Sequence, residues 1–247
     1  MKYYAPRYLF RRYEILRRVK KGSAFLEIGP GNLDLSKELM RFFQQGALVD
    51  YNPAVQTVYD HSDPAFRQKT TLIISDFSDE LTLPITQYDC IVACEVMEHI
   101  EDDEAFLQTA YGFLREGGQL ILSVPAKMTL WSQHDEIVGH VRRYEKANLV
   151  NLLQSQNFRD VEVISYGIPF VNLLRLPRVF LAQLQYKQKA GWSQEKQSQE
   201  SAFVEAGPLT KLTSLAINPT TTYPLSLISR LFNRFDWGNG YLVTAVK

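Results

Sequence analysis

The sequence predicts an α/β fold built on a parallel sheet with helices on both faces. Five short apolar runs, at residues 25–28, 46–49, 70–75, 88–93 and 119–124, are separated by segments long enough to form helices. Each run is almost continuously apolar, which is typical of strands that are buried on both sides. Parallel strands need crossover connections, so this alternation indicates a doubly wound sheet.

The first run leads into the most informative segment of the chain. Glu27, Gly29, Gly31 and Asn32 precede a helix-like stretch at residues 33–43. Glycine lets the backbone approach a ligand closely, and the helix that follows directs free N–H groups toward it. This strand–turn–helix pattern predicts a nucleotide-like cofactor.

The other elements are assigned from periodicity and turn signals. We expect a basic amphipathic helix at residues 6–19 and further helices at 102–115 and 146–156. A sixth strand is predicted at 161–166, and residues 240–246 alternate like a closing strand.

We expect a single domain over residues 1–247, divided as follows: an N-terminal cap helix at 5–20, a cofactor core at 23–125, a substrate-side segment at 126–145 and a helical insertion at 168–239. Within the insertion, amphipathic helical pieces are predicted around 170–186 and 225–235. The polar stretch at 187–200 is predicted to be a mobile loop.

Composition limits the function classes. The chain has 27 basic and 27 acidic residues and no net charge, which gives no global argument for nucleic-acid binding. No apolar run approaches the roughly 18–20 residues needed to cross a bilayer, and no secretory signal is visible. Cys90 and Cys94 are expected to be free thiols. We therefore expect a cytoplasmic protein, a monomer or homodimer, with at most a peripheral membrane contact.

Acidic residues at the predicted strand ends narrow the choice of cofactor. A dinucleotide-binding turn needs a third glycine where Asp34 stands, and this carboxylate would repel a pyrophosphate. Glu27 fits a cofactor that carries an amino group and a sulfonium. Asp50 is placed for ribose hydroxyls, whereas Asp76 and Phe77 suit the amino group and the face of adenine.

The ordered series of motifs at residues 27–32, 49–53, 75–77, 88–100 and 114–118 resembles class I S-adenosylmethionine-dependent methyltransferases. The resemblance implies a seven-stranded, mostly parallel, Rossmann-like sheet with a helical cap, and S-adenosyl-L-methionine as cofactor. The cofactor-binding residues that it implies are Glu27 and Gly29 at the methionine end, Gly31 and Asn32 in the turn, Asp50 at the ribose, Tyr51 and Phe77 flanking the adenine, Asp76 at its amino group, and Glu95 beside the donor. Leu33 stands where the family usually has a third glycine, so the turn is expected to approach the cofactor less closely.

The segment after the fifth strand is expected to meet the acceptor. Residues 131–144 resemble a ubiquinone-biosynthesis-like subgroup of small-molecule methyltransferases. We expect His134 or His140 to be the base, since imidazole titrates near neutral pH, and Asp135 to orient one ring. Tyr144 is grouped with these as a catalytic candidate.

The candidates for acceptor binding are Arg11, Trp131 and Arg143. An alternative is that His140, Arg142 and Tyr144 only fix this segment to the sheet. A divalent metal site made of His134, Asp135 and His140 is a further alternative; we assign no metal, because no additional ligand is evident and methyl transfer does not need one.

The expected function is transfer of a methyl group from S-adenosylmethionine to a small acceptor of apolar or aromatic character. Two alternatives stay open. An NAD(P)-dependent oxidoreductase would need the missing glycine and a catalytic Tyr-x-x-x-Lys pattern. A non-catalytic binding protein would keep the methyltransferase fold alone.

Overall fold

The computed structural model describes residues 4–78, 81–173 and 217–247, which form one sheet flanked by helices. The strands are β1 Ala24–Ile28, β2 Gln45–Asp50, β3 Thr70–Ile74, β4 Tyr88–Cys94, β5 Leu114–Pro125, β6 Arg159–Ser165 and β7 Gly240–Val246. The helices are α1 Pro6–Arg18, α2 Asp34–Leu39, α3 Ala54–Asp60, α4 Pro64–Lys69, α5 Asp103–Phe113, α6 Gln133–Val138, α7 Lys146–Ser155, α8 Phe170–Leu173 and α9 Pro219–Arg230. Short 3-10 turns lie at Met97–His99 and Met128–Leu130.

The strand order is β3-β2-β1-β4-β5-β7-β6, with β7 antiparallel to both of its neighbours and β1 to β5 parallel to one another. This confirms the predicted seven-stranded, mostly parallel, doubly wound sheet. The chain leaves β1 toward β2 on one side and returns to β4 on the other. A ligand crevice is expected at such a reversal, outside the carboxyl ends of the strands.

The core lies on both faces of the sheet because side chains alternate along each strand. In β1, Leu26 and Ile28 join one apolar cluster, while Phe25 joins the cluster on the opposite face. The second cluster also receives Phe10 and Ile15 of α1. Helix α1 is therefore packed into the core and is held in place over the sheet.

Several elements differ from the sequence prediction at their ends. Helix α2 covers only Asp34–Leu39 of the expected stretch at 33–43, because Leu33 adopts a left-handed conformation and lies before the helix. Helix α4 was not predicted; Asp63 caps it by accepting a bond from the Ala65 N–H. Strand β5 begins earlier than expected, at Leu114.

Part of the predicted insertion lies outside the described residues, including most of the expected helix at 170–186 and the whole expected loop at 187–200. Cys90 and Cys94 are free, as expected. Among the described residues, no helix has both the length and the apolar character needed to span a bilayer.

Candidate active site

A cavity of about 900 Å³ lies at the carboxyl ends of β1 to β4, beneath the first turns of α1. The strand-end and turn residues on its wall include Glu27, Gly29, Gly31, Asn32, Asp50, Tyr51, Asp76, Phe77 and Glu95. Its other walls include Tyr8 and Arg11 of α1, His99, His134 and His140. The doubly wound fold thus brings residues far apart in sequence to one hollow, at the edge where such folds bind ligands.

The glycine turn after β1 has the backbone geometry that its sequence predicts. Gly29 and Gly31 both have positive φ, at 69° and 49°. A Cβ at Gly29 would lie 2.5 Å from the Val96 Cγ2, whereas one at Gly31 would meet nothing within 4 Å. Leu33 also has positive φ, at 59°, but its side chain is fully buried in the core and is not on the cavity wall. The leucine side chain therefore does not narrow the cavity.

Two carboxyl groups at the ends of β1 and β2 face the cavity. Burial raises the pKa of Glu27 to about 7, even though the Ser36 hydroxyl donates a hydrogen bond to it at 2.5 Å. Asp50 accepts from the Gly31 N–H at 3.2 Å and from the Asn52 N–H at 2.9 Å. Burial raises the pKa of Asp50 as well. A ligand that brings cationic or hydrogen-bond-donating groups would stabilise both carboxylates.

The end of β3 supplies the far wall. Asp76 accepts from the Ser78 N–H at 2.8 Å, and Tyr51 is 40% exposed at the cavity. Phe77 is 4% exposed and packs edge-on against Phe106, with 5.3 Å between ring centroids. A planar ligand can therefore lie against the packed Phe77 ring and the partly exposed Tyr51 ring.

Two arginines of α1 hold Glu95 at the end of β4. The Arg7 Nη2 lies 3.0 Å from Glu95 Oε2, and the Arg11 Nη1 lies 3.1 Å from Oε1. The Ser123 hydroxyl donates to Oε1 at 2.9 Å, and the Arg7 Nε donates to the Tyr166 hydroxyl at 2.9 Å. Burial acts to raise the pKa of Glu95, but the two guanidinium groups outweigh it and lower that pKa to about 2. Glu95 is thus a permanent anion on the cavity wall.

Asp135 is the centre of a buried network that fixes the segment after β5. Arg143 donates to it through Nε at 2.8 Å and Nη2 at 3.0 Å, and the His140 Nδ1 lies 2.9 Å from Oδ1. The Ser132 N–H completes the capping box of α6. Burial acts to raise the pKa of Asp135, but the bonds from His140 and Arg143 hold it well below its ordinary value. Because the Asp135 carboxylate occupies Nδ1, only the second ring nitrogen of His140, Nε2, can contact another group.

That second nitrogen of His140 faces a buried carboxyl group. The His140 Nε2 lies 3.7 Å from the Glu98 Oε1, and the His99 ring packs edge-on against His140 at 4.9 Å. The His99 Nδ1 contacts the Gly139 carbonyl oxygen at 3.1 Å, and burial lowers the pKa of His99 to about 4. A neutral imidazole and a buried carboxyl thus stand beside His140.

Comparison with known proteins identifies this arrangement. A family model described as a methyltransferase domain matches residues 1–163, about two thirds of the chain and all of the strands β1 to β5. The chain belongs to this methyltransferase family. Its sheet and motif order are those of the class I S-adenosylmethionine-dependent members, so that the predicted family is confirmed.

Curated relatives match the present chain over limited stretches. A protein of Mycolicibacterium smegmatis named as a probable S-adenosylmethionine-dependent methyltransferase is 32% identical over 81 residues, which cover 32% of this chain and 32% of that protein. The mitochondrial ubiquinone biosynthesis O-methyltransferase of Rattus norvegicus is 25% identical over 114 residues, covering 44% of this chain and 32% of that protein. The matches thus span about a third of each relative.

The fold is shared more widely than the sequence. Phosphoethanolamine N-methyltransferase 2 of Haemonchus contortus, solved with S-adenosyl-L-methionine, aligns with a TM-score of 0.57 at 18% identity. The alignment covers 96% of the present chain and 52% of the Haemonchus contortus chain. This likeness concerns the fold alone.

All nine residues predicted to bind the cofactor are on the cavity wall, and so are His134, His140 and Arg11. The other predicted candidates are not on that wall. Asp135, Arg143 and Tyr144 are buried, and the Tyr144 hydroxyl contacts the Met97 carbonyl oxygen at 3.2 Å and an Asp103 carboxylate oxygen at 3.1 Å. Trp131 lies just before α6, away from the cavity wall.

The sequence pattern did not identify three residues on or beside the cavity. Arg7 is one of several basic residues in the predicted N-terminal helix, and its contacts with Glu95 and the Tyr166 hydroxyl emerge only from the structure. Glu98 and His99 form a 3-10 turn in which Glu98 is fully buried. A Glu-His pair directly after a buried strand was the available signal.

Proposed function

We propose that this chain transfers a methyl group from S-adenosylmethionine to a small acceptor molecule. One observation carries the proposal: in a member of the methyltransferase family, Glu27, Asp50 and Asp76 lie at the carboxyl ends of three adjacent strands and line one cavity beside the glycine turn. Glu27 would pair with the ammonium group of the cofactor, Asp50 with the ribose hydroxyls and Asp76 with the adenine amino group. Tyr51 and Phe77 would lie against the two faces of the adenine.

The methionine carboxylate needs a cation, and Arg7 and Arg11 are the Lys or Arg residues on the described cavity wall. Arg11 is the nearer candidate, since its charge acts on Glu27. Its Nε atom is buried and has no hydrogen-bond partner among the residues that the structure describes. We assign the carboxylate to Arg11 and keep Arg7 with Glu95, which places Glu95 beside the donor.

Methyl transfer is an in-line displacement on an activated sulfonium, so the chain mainly supplies orientation and exclusion of water. The acceptor would enter from the side of α6, where His134 lines the cavity. We assign the role of base to His134, because both ring nitrogens of His140 face carboxyl groups. Asp135, Arg143 and Tyr144 would act by holding this segment on the sheet.

The acceptor class is inferred from the apolar part of the cavity wall. Tyr4, Tyr8, Val138 and Ile100 contribute aromatic and aliphatic surface there. Such a wall favours a small acceptor of apolar or aromatic character, because removing an apolar acceptor from water costs little free energy.

Calorimetric titration of the purified chain with S-adenosylhomocysteine and, separately, with NADH tests the proposal. We expect one equivalent of S-adenosylhomocysteine to bind, and Asp50→Asn to weaken it by about 10-fold or more, as loss of a charge-assisted bond does. Asp60→Asn, on the exposed end of α3, is the matched control and should bind normally. Binding of NADH alone would favour an oxidoreductase, and binding of neither would contradict the proposal.

The role of His134 is tested separately. With an acceptor found by screening small phenols and amines, His134→Gln should lower kcat without a matching change in S-adenosylhomocysteine affinity. Full turnover in this variant would remove His134 as the base and leave the cofactor assignment intact.

A further inference from the structure

We propose that Glu98, His99 and His140 bind one divalent cation at the acceptor side of the cavity. Each residue offers one ligand atom, and these three atoms all lie within 4.8 Å of one another. They come from two segments, the 3-10 turn after β4 and the end of α6. The Val141 N–H donates to the Glu98 carbonyl oxygen at 2.9 Å and ties the two segments together.

The hydrogen bonds of the fold do not account for the Glu98 carboxyl group. Glu98 is 0% exposed, and within the described part of the chain neither of its carboxyl oxygens has a hydrogen-bond partner. The contact of its Oε1 with the His140 Nε2, at 3.7 Å, is too long for a hydrogen bond. An unpaired buried carboxylate costs several kcal/mol, so that such groups are normally paired or coordinate a metal. A cation between Glu98 and the two rings would supply the missing partner.

The two imidazole rings are already oriented for coordination. The His140 Nδ1 faces an Asp135 carboxylate oxygen, and the His99 Nδ1 faces the Gly139 carbonyl oxygen. Both outer partners are acceptors, which assigns the proton to Nδ1 in each ring and the lone pair to Nε2. A carboxylate or carbonyl behind the far nitrogen is the usual arrangement for metal-binding histidines.

The alternative metal site of His134, Asp135 and His140 does not fit this geometry. Both Asp135 oxygens accept from Arg143, and one also contacts His140. A cation there would have to displace a buried guanidinium group. Asp135 is instead an outer partner that holds the His140 ring in place.

Glu98, His99 and His140 provide too few ligands for a closed metal site, and the open positions suggest what the bound cation would do. One carboxylate and two imidazoles leave coordination positions open, and His99 and His140 both line the cavity. Glu95 is a nearby carboxylate, but Arg7, Arg11 and Ser123 hold it. The open positions therefore remain for water or for an acceptor oxygen.

This use rests on the proposed function. A hydroxyl group bound to the cation becomes more acidic. Its proton would pass to His134, and the oxygen lone pair would form the new O–CH3 bond. The S–CH3 bond breaks in the same step, and the sulfonium becomes the neutral thioether of S-adenosylhomocysteine. A metal at this position thus favours a hydroxyl-bearing acceptor.

Calorimetry on the full chain, first stripped with a chelator and then dialysed, tests cation binding directly. Mg²⁺, Mn²⁺, Co²⁺ and Zn²⁺ are titrated separately, and Co²⁺ is also followed by visible absorption. We expect one equivalent of at least one cation to bind the wild type. Glu98→Gln and His140→Gln should each weaken it by more than the roughly 10- to 100-fold that loss of an outer partner costs.

Two controls separate the outcomes. His134→Gln and the surface variant His61→Gln should keep wild-type cation affinity. Glu98→Gln should also raise the Tm of the stripped protein, since it removes a buried carboxyl group. A raised Tm would show that the variant folds. Equal cation affinity in wild type and Glu98→Gln, or binding of none of the four cations, would overturn the proposal. S-adenosylhomocysteine affinity, measured on the same variants in the stripped, cation-free state, tests the proposed function separately from cation binding.

Discussion

Replacement of Glu27 by glutamine should change how the stability of the protein depends on pH. Burial raises the pKa of Glu27 from an ordinary value of 4.5 to about 7. The folded protein therefore binds this proton more tightly than the unfolded chain does. The contribution to stability is complete below pH 4.5 and is lost as the pH rises toward 7, where the buried group must ionise.

The size of the effect follows from the two pKa values. Each pKa unit corresponds to about 1.4 kcal/mol, so the full contribution is about 3 kcal/mol. Between pH 5 and pH 8 the wild type should lose about 2 to 3 kcal/mol more of its unfolding free energy than Glu27→Gln does. Other titrating groups are common to both proteins and cancel in this difference.

Urea unfolding at half-unit pH steps measures the difference. Glutamine is the matched replacement, because its carbonyl oxygen can still accept the bond that Ser36 now donates. Saturating S-adenosylhomocysteine should flatten the wild-type slope, since a bound ammonium group would stabilise the Glu27 carboxylate. A difference that stays within about 0.5 kcal/mol from pH 5 to pH 8 would show that the carboxyl group is hydrated or already paired.

Four further substitutions test the local geometry, each by urea unfolding. Asp135→Asn should destabilise the fold by about 3 kcal/mol, because it leaves the buried Arg143 guanidinium without its counter-charge; an unchanged midpoint would refute this. Leu33→Gly should destabilise by about 2 kcal/mol, since the buried side chain is worth more than the strain relieved at positive φ, with S-adenosylhomocysteine affinity unchanged. Gly29→Ala should cost at least about 2 kcal/mol through its contact with a neighbouring side chain, whereas Gly31→Ala should cost about 1 kcal/mol from φ alone; equal costs would contradict the difference in space at the two glycines.

The strand ends of this protein were predictable from sequence because parallel strands place their carboxyl ends at one edge. The acidic residues at the carboxyl ends of three apolar runs, Glu27, Asp50 and Asp76, needed no knowledge of loop conformation to be assigned to a common cavity. The parallel strands of the sheet were predictable for a similar reason, since a strand that is buried on both faces leaves a continuous apolar pattern in the sequence. The alternation of residues 240–246 predicted strand β7 as a closing strand, whereas its antiparallel orientation comes from the structure alone.

The acceptor side was less predictable because contacts between loops decide it. The sequence shows His134, Asp135 and His140 as neighbours but does not show that Arg143 occupies both Asp135 oxygens. Likewise, nothing in the local pattern indicates that His140 turns toward Glu98, which lies about 40 residues earlier in the chain. A side chain's partner across a tertiary contact depends on backbone directions that periodicity does not report.

Helix α1 connects the two sides of the cavity through Arg7 and Arg11. Both guanidinium groups contact Glu95, and Arg7 also reaches Tyr166 beyond β6. The helix itself is fixed in the core by Ile15 and its neighbours, so these arginines are held in place before any ligand binds. If Arg11 receives the methionine carboxylate, it must share its charge between that group and Glu95, which also acts electrostatically on the buried Glu98 carboxyl group. Cofactor binding and cation binding would then be coupled through one carboxylate, and the two affinities would change each other by the same factor.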